Sequence, residues 1–232
     1  TASNNTAIGQ SALFSNTSGA SNVALGGLAL DANTTGTNNA AVGYDCLGQN
    51  TTGSDNTSFG TSTGTSVTTG SDNTLIGRAS GFNLTTGSNN LLLGHNAGRS
   101  TSPSGELTTA SNQVCIGDNN ITNAFIKVAF TVTSDKRDKI EDGVVSHGLD
   151  FVNKLKPKSF WFRKNRESEE KTGDKRYGFF AQDILALEGS DAVVIDNNDP
   201  ENLKYKGEQL IPILVKAIQE LTMEVNKLKS NG

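Results

Sequence analysis

Gly87-Ser88-Asn89-Asn90-Leu91-Leu92-Leu93-Gly94 is one copy of a pattern that fills the first half of the chain. Its last glycine recurs at positions 9, 26, 43, 60, 77 and 94, always 17 residues apart. A bulky apolar residue precedes each one: Ile8, Leu25, Val42, Phe59, Ile76 and Leu93. An asparagine stands four residues before it: Asn5, Asn22, Asn39, Asn56, Asn73 and Asn90. From the second copy on, another glycine stands seven before it, at Gly19, Gly36, Gly53, Gly70 and Gly87. A seventh, irregular copy ends at Ile116-Gly117, 23 residues after the sixth. Such periodicity means stacked units, each too small to bury a core alone.

Each copy reads as one rung of a parallel β-coil. The residues before the anchor glycine suit a short strand, and the Thr-Thr-Gly-Ser stretches around Gly53, Gly70 and Gly87 suit turns, since glycine reaches positive φ freely. Aligned asparagines are expected to form a side-chain hydrogen-bond ladder. A rung holds one large apolar side chain and several small ones, so a lone coil exposes one face. Association of several chains would bury that face, and a homo-oligomer is expected. Calcium-binding nonapeptide repeats are a poorer fit, because Asp55 and Asp72 have no acidic counterpart in the other copies. Catalysis is not expected here, and no carboxylate pair suggests glycan cleavage.

The composition changes sharply past the repeats. Residues 1–117 hold two basic and five acidic residues, whereas 118–232 hold 18 and 19. The expected organisation is a repeat solenoid over 1–117, a connecting strand over 118–133 and a separate domain over 134–232. With a net charge of −4 and no basic stripe on the repeats, nucleic acid is not an expected partner. No run approaches the roughly 18 apolar residues of a membrane span. The chain opens within a repeat and is expected to be a segment of a longer one. Cys46 and Cys115 lack metal-ligand spacing, and Cys46, in a slot held by Ala12, Ala29 and Ala97 in other copies, reads as a small buried thiol. No metal or cofactor is expected. His95 reads as surface variation in a slot shared with Gln10, Tyr44 and Arg78.

The second half reads as α+β. Alternation over 124–133 suggests a strand. Apolar residues at 149, 152 and 155 suggest a helix stopping before Pro157. Lys158–Arg163 and 177–180 read as a hairpin around a charged loop over 164–176. A short helix is expected over 181–185, with short strands over 193–195 and 203–205. Ile211, Leu214, Ile218, Leu221, Val225 and Leu228 form an a/d seam, which predicts a long helix over about 208–229, with Pro212 in its first turn and its start near Gln209.

The stretch Ser134-Asp135-Lys136-Arg137-Asp138-Lys139 carries the candidate chemistry. Read from the residues alone, it is an ordinary turn and N-cap. A serine hydroxyl becomes a useful nucleophile only beside a base, and lysine serves only when burial or nearby cations favour its neutral form. Lys136 and Arg137 are candidates to supply that repulsion, while Asp138 is a candidate to oppose it by pairing with Lys139. His147 is the other candidate base, read as a solvated loop histidine, and Arg163, Arg176 and Gln182 are candidate contacts between chains.

Two resemblances extend this reading. The Asn-x-Ala-x-Ile-Gly style of repeat in residues 1–117 resembles the head repeats of trimeric autotransporter adhesins and of some phage tail fibres. That resemblance implies a trimeric, parallel, left-handed β-roll. The order Ser134-Asp-x-Arg-x-Lys139, Leu-Lys-Pro-x-x-Phe over 155–160, Tyr-Gly-Phe-Phe-Ala-Gln-Asp-Ile over 177–184, then Tyr205 and the helix with Leu221, resembles the C-terminal intramolecular chaperone domain of phage tailspikes and tail fibres, the S74 peptidase family. It implies a homotrimer whose last domain folds the stalk and then releases itself. Ser134 would be the nucleophile, Lys139 its partner and Thr133–Ser134 the bond cut. The expected location is the virion, after assembly in the host cytoplasm. Alternatives are a non-cleaving trimer clamp on a head that binds a host-cell receptor or glycan through residues 1–117, and a bacterial trimeric surface adhesin.

Overall fold

A computed structural model describes residues 2–127, 134–163, 166–190 and 192–231. The chain forms two compact units, Thr1–Thr122 and Asn123–Gly232.

The first unit is a β-solenoid. Seven three-residue strands, β1 (Thr6–Ile8), β2 (Val23–Leu25), β3 (Ala40–Val42), β4 (Thr57–Phe59), β5 (Thr74–Ile76), β6 (Leu91–Leu93) and β7 (Val114–Ile116), stack in sequence order. All pairs are parallel, and each residue meets its counterpart one rung on, as Ala41 meets Ala24 and Ser58. The anchor glycines allow this close stacking. Gly43 has φ +137, and a Cβ there would lie 2.4 Å from the carbonyl oxygen of Gly60.

The expected asparagine ladder is present. The amide N–H of Asn22, Asn39, Asn56, Asn73 and Asn90 each donates to the side-chain oxygen of the asparagine one rung earlier, at 2.8–3.1 Å. The Nδ2 groups of Asn22, Asn39, Asn56 and Asn73 donate to the carbonyls of Gly36, Gly53, Gly70 and Gly87. These asparagines are buried at little cost, because their polar atoms have partners.

The core lies on the opposite side of the strands from the bulky anchor residues. Successive strand residues face opposite ways. The middle residues Ala24, Ala41, Ser58, Leu75, Leu92 and Cys115 are buried, while Ile8, Leu25, Phe59, Ile76 and Ile116 stay exposed. The interior is filled by Leu13, Leu30, Leu47, Val67, Leu84 and Leu107 from the turns. Cys46 and Cys115 are free buried thiols, and burial pushes the Cys46 thiol up to about 11.

Two kinds of interior meet halfway along the stack. In the early rungs, Leu13, Leu30 and Leu47 fill the space above Ala24 and Ala41. In the later rungs glycines 64, 81 and 98 replace those leucines, and Leu75 and Leu92 replace the small strand residues. The exchange conserves volume: a Cβ on Gly64 would lie 2.7 Å from Leu75. At the same place a second ladder, in which Asn33 donates to Asn16 and Asn50 to Asn33, gives way to Val67. Asn50 Oδ1 is left buried without a partner.

The second unit is α+β. It contains α1 (Leu149–Lys154), an antiparallel hairpin of β8 (Lys158–Arg163) and β9 (Lys171–Gly178), α2 (Ala181–Glu188), a short antiparallel pair β10 (Ile195–Asp196) and β11 (Lys204–Tyr205), and α3 (Leu210–Ser230). Its core gathers Phe151, Ile184, Val194, Ile195, Leu210 and Ile213. Pro212 falls in the first turn of α3, where a missing N–H costs no intrahelical bond.

Three sequence readings differ from these elements. Charged residues 171–176 belong to β9 rather than to a loop, and Phe179 and Phe180 lie beyond it. The hairpin is exposed, so charge does not oppose extension, and Lys171 and Lys175 lie over the Trp161 ring at 4.2 and 5.5 Å. Residues 124–127 form no strand, and the rest of that expected strand, 128–133, lies outside the described residues.

Glu188, at the end of α2, is buried among backbone donors. Its Oε1 accepts from the N–H groups of Val193 and Val194, and its Oε2 from that of Ile195. One carboxylate thereby ends α2 and sets the chain running into β10.

Candidate serine–lysine site

Ser134 and Lys139 flank a single 3₁₀ turn, Lys136–Asp138. Asp135 caps that turn. Its backbone is extended, and its Oδ1 accepts from the Arg137 N–H at 2.9 Å. The turn closes when the Lys139 N–H donates to the carbonyl of Lys136, after which the chain is extended again. This folds the segment back on itself and brings its ends together. Lys139 Nζ donates to Ser134 Oγ at 2.5 Å.

Arg137 does not point at the lysine. Its Nε lies 3.1 Å from both Asp135 oxygens and its Nη2 is 2.6 Å from Oδ2. The guanidinium holds the Asp135 carboxyl below the usual carboxylate range, and the carboxylate raises Arg137 in turn. Arg137 was expected to repel charge on Lys139; it is spent on Asp135 instead. Among the described residues no ion pair joins Asp138 to Lys139. The segment 134–146 is exposed throughout.

The other sequence candidates lie elsewhere. Thr133, on the far side of the expected cut, lies outside the described residues. His147 stacks on Phe151 with ring centroids 4.2 Å apart, so it is a half-buried packing residue rather than a solvated one. Arg163 pairs with Glu169, the Arg176 guanidinium lies over Phe162, and Gln182 is exposed on the first turn of α2. In the solenoid, His95 bridges Arg78 and Asp118, at 3.0 and 3.1 Å, so its slot forms a side-chain ladder of its own. Among the described residues no group of histidine, cysteine, aspartate and glutamate could hold a metal, and no helix is long and apolar enough to cross a membrane.

Sequence reasoning found the pair that meets and missed the Asp135–Arg137 clamp beside it. The signal was available in the Asp-x-Arg spacing, which lets an Asx-type cap and a guanidinium fork share one carboxylate.

A chemical class follows from these features: a stacked β-solenoid followed by a small α+β unit with a serine–lysine pair at its start. Residues 134–194 match the model of the family described as chaperone of endosialidase, Peptidase_S74. The matched stretch opens on Ser134 and covers the turn, α1, the hairpin and α2. Neither a curated protein nor a solved structure matches the chain.

Proposed function

We propose that the chain is part of a trimeric phage tail fibre or tailspike. In this reading its C-terminal unit drives trimerisation and stalk folding, then frees itself by cutting Thr133–Ser134. The observation that carries the cleavage is the Ser134–Lys139 contact at the start of the stretch matching the chaperone family.

Two exposed apolar surfaces support assembly of like chains. The outward strand face of the solenoid carries Ile8, Val23, Leu25, Phe59, Ile76, Leu91, Val114 and Ile116. At about 4.8 Å per strand it runs for about 29 Å. It has no charged residue, and another copy has the same rung spacing. On α3, Leu210, Ile213 and Ala217 are buried in the domain, yet the whole a/d seam from Ile211 to Leu228 is exposed. An amphipathic helix that uses one stripe internally and presents a second is suited to a coiled coil.

The chemistry balances without a cofactor. Lys139, as the neutral amine, takes the Ser134 hydroxyl proton, and Oγ attacks the Thr133 carbonyl carbon. The Thr133–Ser134 C–N bond breaks as the proton passes to the departing amine. The resulting ester is hydrolysed by water, leaving a Thr133 carboxylate and restoring the Ser134 hydroxyl. The exposed lysine of the single chain is solvated. Burial of this segment on assembly would favour the neutral amine and so couple cutting to folding.

The test is the intact mass, under denaturing conditions, of the native chain beside Ser134→Ala. A 134–232 fragment from the native chain alone supports the reading. Full-length chains from both reject cleavage and leave the non-cleaving trimer clamp.

A further inference from the structure

We propose that Asp135 and Arg137 are positioning residues for the serine–lysine pair. Asp135 shapes the turn that brings Lys139 to Ser134, and Arg137 occupies the Asp135 carboxylate so that it does not bind Lys139 instead. The inference rests on the cleavage reading for its consequence but not for its geometry.

The argument starts from the spacing. A carboxylate one residue from the nucleophile and four from the lysine is the nearest acidic competitor for the ammonium, apart from the adjacent Asp138. A salt bridge to either would hold Lys139 protonated and unable to accept the serine proton. Yet the turn needs that carboxylate, because it accepts the Arg137 N–H and caps the helix. Arg137 resolves the conflict. Its planar fork takes both carboxylate oxygens from two residues away, Oδ1 through Nε and Oδ2 through Nε and Nη2, a geometry that lysine cannot supply. Nζ of Lys139 is then directed to Ser134 Oγ. The other charged side chains of this exposed segment are Lys136, Asp138, Glu141 and Asp142, none of which has a side-chain hydrogen bond to Ser134 or Lys139 among the described residues.

Asparagine caps as well as aspartate but carries no charge, so the two roles of Asp135 can be separated. The variants are Arg137→Gln, Asp135→Asn and both together, made in the full chain. The first readout is the pH profile of self-cleavage. The second is the titration midpoint of the Lys139 ammonium, followed by NMR on chains with labelled lysine in the uncleavable Ser134→Ala background.

Arg137→Gln frees the carboxylate and is expected to move both midpoints to higher pH by about half a unit, the scale of one nearby charge in solvent. Asp135→Asn keeps the turn and gives no upward shift. The double variant behaves as Asp135→Asn, because without the carboxylate Arg137 has nothing to neutralise. An unmoved Lys139 midpoint in Arg137→Gln, or an upward shift that persists in the double variant, overturns the proposal. A native chain that never cleaves but shows the expected Lys139 shifts leaves the clamp standing and rejects the cleavage reading. Cleavage that depends on Ser134 with no shift does the reverse.

Discussion

Asn56 and Glu188 are both buried polar side chains that satisfy backbone groups, and they do it in opposite ways. Asn56 hands its bonds along: it donates to Gly70 and Asn39 and accepts from Asn73. Glu188 gathers its bonds in, taking three consecutive N–H groups on one carboxylate. The solenoid spreads its stability over like neighbours, so a defect weakens the rungs that touch it. The C-terminal unit concentrates its stability, and one side chain sets the path of a whole segment.

The largest expected effect lies at the start of the second unit. On the proposed reading, Ser134→Ala is expected to abolish the 134–232 fragment in denaturing mass spectra while crosslinked trimers persist. Loss of the trimers as well would show that Ser134 is structural rather than reactive.

Backbone freedom gives the next contrast. Gly43→Ala forces a Cβ into the Gly60 carbonyl at positive φ and is expected to cost about 4 kcal/mol or more in solenoid stability. Gly189→Ala also has positive φ, +70, with ψ −131, but meets nothing within 4 Å, so only backbone strain of about 2 kcal/mol is expected. Chemical denaturation of both variants, followed by circular dichroism, gives the comparison. Equal costs would mean that stacking distance does not govern the rungs.

Asn56→Ala strands the Gly70 carbonyl and the Asn73 N–H on the next rung, while Asn39 Oδ1 keeps the Asn56 backbone N–H, and about 3 kcal/mol is expected. Asn5→Ala is expected to cost about 1 kcal/mol, since its site is only half-buried. Circular dichroism of the solenoid reads both costs, and equal losses would break the ladder as the source of the difference.

Glu188→Ala is expected to cost about 2–3 kcal/mol, read by the fluorescence of Trp161, the single tryptophan, which lies in the same unit, because three N–H groups lose their acceptor. Glu188→Gln keeps an oxygen and is expected to lose about half of that.

Much of this architecture was legible because repetition is itself a structural statement. Equal spacing specified the parallel register, the strand beside each anchor glycine and the Asn5-to-Asn90 ladder. The facing of the strand was not legible: Phe59 and Ile76 look like core residues, yet Ser58 and Leu75 are the ones inside. Three strand residues cannot show which parity faces inward, and the leucines that fill the coil come from turns. The compensation between Gly64 and Leu75 was hidden too, since they lie 11 residues apart in sequence and meet only in the folded rung. At the candidate site the Ser134–Lys139 pair followed from the family resemblance. The clamp was not legible from the charge of Arg137 alone, which does not show which carboxylate its fork will take.

The change of interior between Asn50 and Val67 has a mechanical meaning. A stack of like units behaves as a one-dimensional chain of couplings, and a junction between unlike units is a domain wall. Here the wall carries the orphaned oxygen of Asn50, so the coupling across it lacks the side-chain bond that Asn50 and Asn33 make one rung earlier. A solenoid strained along its axis is expected to yield more readily at that junction than between rungs joined by both ladders.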